Sequence, residues 1–324
     1  MRHLYLLTTL FFTLMSCHLF AQPDSTVSFV AYWHKGETQQ YKIIKKKVRI
    51  QNGKEVANEL KSYISSFTVL DSTDTSYLIE WKYENKLFDS APEMAAQFKQ
   101  LDTKYQYLTI KYRTDEYGAF EGIENWKEAS RMMKDMFDLT EKNYKGDNRK
   151  AFSQALLPFR QAMSSKEGLE NVVFKELRSI HSPYGAIYSL TDTVRYEDQL
   201  PNFFGGAPIN AIASLYFNEA DFENLTCSYI HEVVPTPEDS KRLVQEMLEK
   251  MASNISDKTL REQRKAELSK AFTQMSVTIN DITTYSYDLN TSWPISITVK
   301  RTVEANSPDE KASNLEETII ERIH

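Results

Sequence analysis

Apolar side chains fall on every second residue at Val27, Phe29, Ala31 and Trp33, with Ser28, Val30, Tyr32 and His34 between them. That period of two predicts a half-buried strand. Residues 41–50 form a second strand candidate and end at Asn52-Gly53, a strong turn signal. Residues 64–70 and 76–83 flank Asp71-Ser72-Thr73-Asp74-Thr75 and read as a hairpin. In its second arm Tyr77, Ile79, Trp81 and Tyr83 share one face, with Glu80, Lys82 and Glu84 opposite. A further hairpin joins 105–112 to 119–123 through Thr114-Asp115-Glu116-Tyr117-Gly118.

The period then changes. After Asn125, a natural helix cap, Trp126, Ala129, Met133, Met136 and Phe137 recur at helical spacing. Asp147 can cap a second helix, with Phe152, Leu156 and Phe159 inward and Pro158 kinking or ending it. Ser164 and Glu167 make a capping-box pattern ahead of Leu169, Val172, Val173 and Leu177. Strands resume at 185–195, 209–217 and 225–233. Thr236-Pro237-Glu238-Asp239 is a helix start with cap, N1 proline and acids in the first turn. Another helix is expected over 257–272, then strands at 277–287, 295–303 and 315–323.

The order is strands, helices, strands, helices, strands, without βαβ alternation, so the pattern predicts an α+β fold rather than a parallel α/β one. We expect a large curved antiparallel sheet of about 10–12 strands with about five helices on one face. No Pro/Gly/Ser-rich linker divides residues 22–324, which read as a single β-rich domain; the alternative is two subdomains meeting near 125–180.

The first residues change the picture. Met1-Arg2-His3 precedes an apolar run from Leu4 to Met15, too short to span a bilayer but suited to an export leader over residues 1–21. Cleavage after Ala21 leaves Gln22 as the terminus of a periplasmic or secreted protein. The alternative reads Leu14-Met15-Ser16-Cys17 as a lipobox, with Cys17 lipidated and the protein anchored to the outer membrane. No later apolar run is long enough for a transmembrane helix. With cleavage at Ala21 only Cys227 survives, which rules out an intrachain disulfide.

The chain has 324 residues, 39 Lys+Arg and 45 Asp+Glu, and a formal charge of −6; loss of Arg2 with the leader makes it one unit more negative. That balance lacks the basic footprint of a nucleic-acid binder.

Trp33-His34-Lys35-Gly36-Glu37 with Tyr41, Val69-Leu70-Asp71-Ser72 with Tyr77 and Glu80-Trp81, and Ser292-Trp293-Pro294-Ile295-Ser296 stand out as motifs. With a leader ending Phe-Ala-Gln, they resemble uncharacterised exported proteins of Bacteroidota. The resemblance implies an exported, β-rich protein and carries no activity or site residues. The same lineage O-glycosylates exported proteins at Asp-Ser/Thr triplets. Four fit here, placing candidate sites at Ser25, Ser72, Ser90 and Thr193. The competing reading is that Asp-Ser and Asp-Thr mark turns.

Candidate chemistry is thin. Cys227, Tyr229 and His231 share one face of a strand, but a zinc site needs more ligands, and a core cysteine beside a satisfied histidine is the plainer reading. Asp115-Glu116 and Glu316-Glu317 are acid pairs of a kind that any acidic chain offers. Phosphate loops, HExxH, Gly-x-Ser-x-Gly and CxxC are absent, so no catalytic residue, metal ligand or cofactor is assigned. Phe203 and Phe204, ahead of Gly205-Gly206, are candidate ligand-binding residues on a loop, or plugs at the end of the sheet. Lys45-Lys46-Lys47 reads as an edge-strand guard against aggregation.

Two function classes remain open. One is a non-enzymatic exported protein that binds an apolar or extended ligand, or a cell-envelope partner. The other is a hydrolase of an envelope or dietary polymer that uses paired carboxylates.

Overall fold

The computed structural model describes residues 26–84, 106–142, 144–172, 175–200, 207–253, 259, 261–263, 276–306 and 311–323. The leader, Cys17, Ser25, Ser90, Phe203 and Phe204 lie outside the described residues, as does most of the helix expected over 257–272.

The first half contributes β1 (Thr26–Ser28), β2 (Thr38–Gln51), β3 (Lys54–Ser72), β4 (Ser76–Glu84), β5 (Tyr107–Asp115) and β6 (Phe120–Ile123). Four helices follow: α1 (Trp126–Lys142), α2 (Gly146–Ala162), α3 (Lys166–Val172) and α4 (Lys175–His181). Then come β7 (Ile187–Ser189), β8 (Val194–Leu200), β9 (Ile209–Asp221), β10 (Thr226–Pro235), α5 (Pro237–Ser253), β11 (Ser276–Asp288), β12 (Trp293–Asn306) and β13 (Lys311–Ile323). Eleven strands form one antiparallel sheet in the order β6-β5-β4-β3-β2-β13-β12-β11-β10-β9-β8, and β1 pairs with β7 in a small second sheet. The chain's last strand lies beside β2, so the two halves of the sequence join through the β13–β2 ladder.

Alternation sets which side of the sheet is buried. Tyr285, Ile297, Ile320 and Ile43 lie opposite one another on successive strands and are buried. Phe67, Trp81, Ile110 and Tyr112 carry the same face across β3, β4 and β5. Helices α1, α3 and α4 add Met133, Met136, Leu169, Leu177 and Ile180 to this main cluster. A smaller cluster gathers Leu200, Ile209, Ala211, Ala213, Val233 and Ile279 with Leu243 of α5. The register gives Val233 and Ile279 the same parity as Tyr229 and Tyr285, so both clusters occupy one face.

Between the clusters that face carries charge. Asp281, Arg301, Glu316, Lys47 and Glu59 lie side by side on β11, β12, β13, β2 and β3, alternating in sign. The Arg301 guanidinium grips the Asp281 carboxylate, with Nε 2.5 Å from Oδ1, and Lys47 Nζ is 2.8 Å from Glu316 Oε1. On the opposite face Lys300, Glu317 and Lys46 repeat the alternation. Lys45-Lys46-Lys47 is therefore not an edge guard: β2 is flanked by β13 and β3. Lys46 and Lys47 lie opposite Glu317 and Glu316 of β13, while Lys45, opposite Thr318 and Lys61, pairs with the buried Glu176 of α4. Opposite charges directly across a ladder stabilise it and like charges destabilise it, so these rows help fix the register.

Local signals were reused in three places. Residues 185–195 form two short strands separated by a turn, not one strand. The cap of α3 is Ser165, whose Oγ accepts from Gly168 N at 3.0 Å, one residue beyond the expected Ser164. Asn125 precedes α1 as expected, but its side chain turns to the sheet: Oδ1 accepts from Lys111 N at 2.8 Å and Nδ2 donates to Thr109 O at 3.0 Å. Thr236 caps α5 as read, with Asp239 N 3.3 Å from its Oγ1.

Candidate ligand-binding cleft

A cleft of about 440 Å3 opens where the sheet ends against α1. Strand β6 covers β5 only from Tyr112 to Thr114. Beyond it Glu124 N donates to Lys111 O at 2.8 Å, and Asn125 supplies the amide contacts just described. In an antiparallel ladder one residue's N–H and C=O point to the same side, so Lys111 and Thr109 present both groups to this edge. The Asn125 carboxamide thus occupies the place a neighbouring strand's peptide group would take. Tyr107, Thr109, Lys111 and Glu80 line the sheet side, while Glu128, Arg131, Met132 and Asp135 line the helix side. The Lys82 ammonium sits 4.9 Å from the centre of the Tyr107 ring, which steadies that residue at the mouth. The volume falls within the usual range of small-molecule and peptide sites, about 300–1,000 Å3.

A second cleft, of about 790 Å3, lies along β8 and β9 and is acidic, with Glu197, Asp198 and Glu238 in its lining. A third, of about 250 Å3, lies over Lys45, Lys47, Lys61 and Glu316 in the charged belt.

The residues singled out in sequence scatter. Ser72 ends β3 and Thr193 precedes β8; both are exposed, and the flanking acids are engaged locally. Asp71 meets Lys35 at 3.1 Å, and Asp192 Oδ2 accepts from Ser189 Oγ at 2.8 Å. Cys227 is buried, and burial pushes its thiol up to about 12, so the free side chain is a thiol rather than a nucleophilic thiolate near neutrality. His231 shares its face, but its Nε2 is held 2.8 Å from Tyr196 Oη, and burial lowers its pKa. Among the described residues no group of three His, Cys, Asp or Glu side chains can hold a metal ion. Nor, among them, is any helix long and apolar enough to cross a membrane.

The motif residues converge instead on one structural clasp. Trp33 stacks on Trp293 with ring centres 4.3 Å apart. Trp293 Nε1 donates to Glu37 Oε1 at 2.7 Å, and Tyr41 Oη donates to Pro294 O at 3.0 Å. Gly36 N donates to Val69 O and Val69 N to Glu37 O, with Gly36 at φ 88°, where glycine is favoured. The clasp fastens the segment before β2 to the start of β12.

Sequence reading missed a deeply buried polar site. His181, at the end of α4, is buried among Trp33, Tyr112 and Tyr184. Its Nδ1 lies 2.9 Å from Gly118 O, and its Nε2 lies 2.7 Å from Tyr112 Oη. A carbonyl only accepts, so Nδ1 carries the proton and neutral Nε2 accepts from the tyrosine. Burial lowers the His181 pKa to about 4 and raises that of Tyr112 well above its ordinary value.

Among the described residues, carboxylates that depart clearly from their ordinary range lie below it. Lys47 holds Glu316 down, hydrogen bonds from Asn224 hold Asp221 down, and Arg242 holds Asp239 down. For Asp288, burial pushes upward, but hydrogen bonds from Thr291 and Arg322 outweigh it. Catalytic acids need the opposite shift.

No protein-family model matches the chain, and no curated protein matches its sequence.

Proposed function

We propose that the protein is a non-enzymatic binding protein of the cell envelope that takes an extended, peptide-like ligand in the cleft between the edge of β5 and α1. The observation that supports this is the Asn125 carboxamide, which bonds to the Lys111 and Thr109 backbone as a strand would. A ligand with alternating N–H and C=O groups would continue that ladder along Thr109 and Tyr107. Its side chains would meet Arg131, Met132 and Asp135 across the cleft. We read the helices as a cover over the face that holds both clusters, which makes α1 a fixed wall. The interior is filled by packed aromatic rings, so an extended ligand at the edge fits better than an apolar one within. The expected leader over residues 1–21 supports a periplasmic or secreted location for this activity, with the Cys17 anchor as the alternative, and Ser72 and Thr193 are exposed where glycans would sit.

The test is an array of immobilised short peptides probed with the parent protein and Thr109→Pro. Proline removes the N–H that faces the cleft and leaves the ladder to β4 intact. The parent is expected to hold a subset of peptides that the variant releases, with both melting alike. Equal binding by the two proteins, or none by the parent, would reject the proposal.

A further inference from the structure

The two ends of the sheet are finished differently. At one end β6 is four residues long, and its Ile123 N–H donates to Glu170 Oε1 of α3 at 2.8 Å. At the other end β8 has seven residues, pairs among the described residues only with β9, and is exposed from Val194 to Glu197. Tyr196 is 44% exposed even though its hydroxyl is bonded to His231. An open edge strand is a template for another strand, and proteins normally blunt it with lysine, proline, a bulge or a cover. β8 has no lysine, proline or bulge, and its charged side chains, Arg195, Glu197 and Asp198, are of both signs.

Its sequence is complementary to itself. In an antiparallel pair centred on Tyr196, each Arg195 faces the other copy's Glu197, the two Tyr196 rings meet on the axis, and Val194 faces Asp198. Arg195 and Glu197 lie on the face opposite Tyr196, across from Ser214 and Ile212 of β9. Among the described residues neither has an ion-pair partner within its own chain. The two cross-strand ion pairs and the central aromatic pair are the contacts that stabilise antiparallel ladders.

We infer that the β8 edge is an interface with a second copy of this chain, a two-fold contact that continues the sheet from one protomer into the next through Arg195–Glu197 pairs around Tyr196. Seven residues span about 23 Å. A contact confined to one strand edge is small, so the dimer forms at high protein concentration or where molecules are concentrated on a surface.

Sedimentation of the mature protein over a range reaching about 100 µM tests this, since small interfaces dissociate in dilute solution. The parent is expected to show a monomer–dimer equilibrium. Glu197→Arg sets Arg195 against arginine twice and should weaken the dimer about tenfold. Arg195→Glu combined with Glu197→Arg restores opposite charges and should restore association. A register test accompanies it. Tyr196→Cys places two thiols on opposed Cα atoms about 5 Å apart, within disulfide reach, while Val194→Cys leaves its thiols about 13 Å apart. Mild oxidation should cross-link the first and not the second; the native Cys227 is buried and serves as background in the parent. The inference is overturned by a parent that stays monomeric, by Glu197→Arg associating like the parent, by a double variant that fails to recover, or by equal cross-linking of the two cysteine variants. A monomeric parent that holds extended peptides along β8 would assign the edge to another chain and equally reject the dimer.

Discussion

Acidification should destabilise this protein well before its carboxylates titrate, and His181 is the cause. In the folded state its Nδ1–H is given to Gly118 O and its Nε2 accepts from Tyr112. A second proton on Nε2 would force the Tyr112 hydroxyl to turn from donor to acceptor and would place a charge in a site closed to water. Burial accordingly holds the pKa at about 4, against 6.5 for an unperturbed histidine. The unfolded chain therefore binds more protons between these two values. The contribution of His181 is complete above about pH 6.5, falls as pH drops toward 4, and levels off below. At pH 5 the unfolded state gains about thirtyfold from protonation and the folded state almost nothing, a loss of about 2 kcal/mol; the full difference is about 3 kcal/mol. Asp288 and Glu316, held low, lose their contributions only as pH falls through the carboxylate range, so pH 5–7 isolates histidine. His231 is lowered too and acts in the same direction, which makes His231→Gln the control. Urea unfolding at pH 7, 6 and 5 measures the loss. His181→Asn keeps a donor toward Gly118 but cannot titrate. It should be less stable at pH 7 by about 1–3 kcal/mol, the cost of an unsatisfied buried group, and nearly flat from pH 7 to 5. A parent protein with equal stability at pH 7 and 5, or a His181→Asn variant with the parent's slope, would refute the reasoning.

Glu316→Lys puts a cation between Lys47 and Arg301; with the site half-exposed, a loss of about 1–2 kcal/mol in urea unfolding is expected, partly recovered by Lys47→Glu. Gly118→Ala introduces a Cβ 2.8 Å from Ala31 Cβ and 2.9 Å from the Tyr184 ring at φ 99°, so the melting temperature should fall by several degrees, by more than Gly53→Ala, whose Cβ meets nothing within 4 Å. Cys227 should resist a thiol reagent in the native protein and react at the rate of unfolding, because it is buried with a raised pKa; fast labelling of the native protein at this residue would contradict that burial.

The strand-rich character was legible because it rests on local period: Tyr77, Ile79, Trp81 and Tyr83 read as one face of a strand, and they are one arm of the β3–β4 ladder. Residues 54–63 escaped the reading, since most are exposed and polar and belong to β3 only through pairing with β2. Partner identity was equally hidden. The lysines of β2 look like a guard until Glu316 and Glu317 arrive from the far end of the chain. Asn125 was recognised as a helix-start residue, but its bonds to Thr109 and Lys111 depend on where α1 crosses the sheet. His181 carries no pattern at all; its burial is set by Trp33, Tyr112 and Tyr184, which come from three separate stretches.

An open sheet of eleven strands has two edges to resolve, and the way each is resolved separates scaffold from surface. Glu170 and Asn125 both spend a polar side chain on the backbone of the β5–β6 edge, although either could have stayed in water. Their bonds are local and incomplete: they stop at Thr109, leaving the strand beyond to face α1 across the cleft. At β8 Asp198 Oδ1 takes the Gln199 N–H at 2.7 Å, and Arg195-Tyr196-Glu197 before it reads the same when reversed and sign-inverted about Tyr196. The interior argues in the same direction. Its titratable groups are locked: His181 between two partners, Glu176 beneath Lys45 and Tyr63, Cys227 held as the thiol. A core committed in this way offers backbone geometry rather than reactive groups, which is why both proposed contacts are placed where its ladders stop.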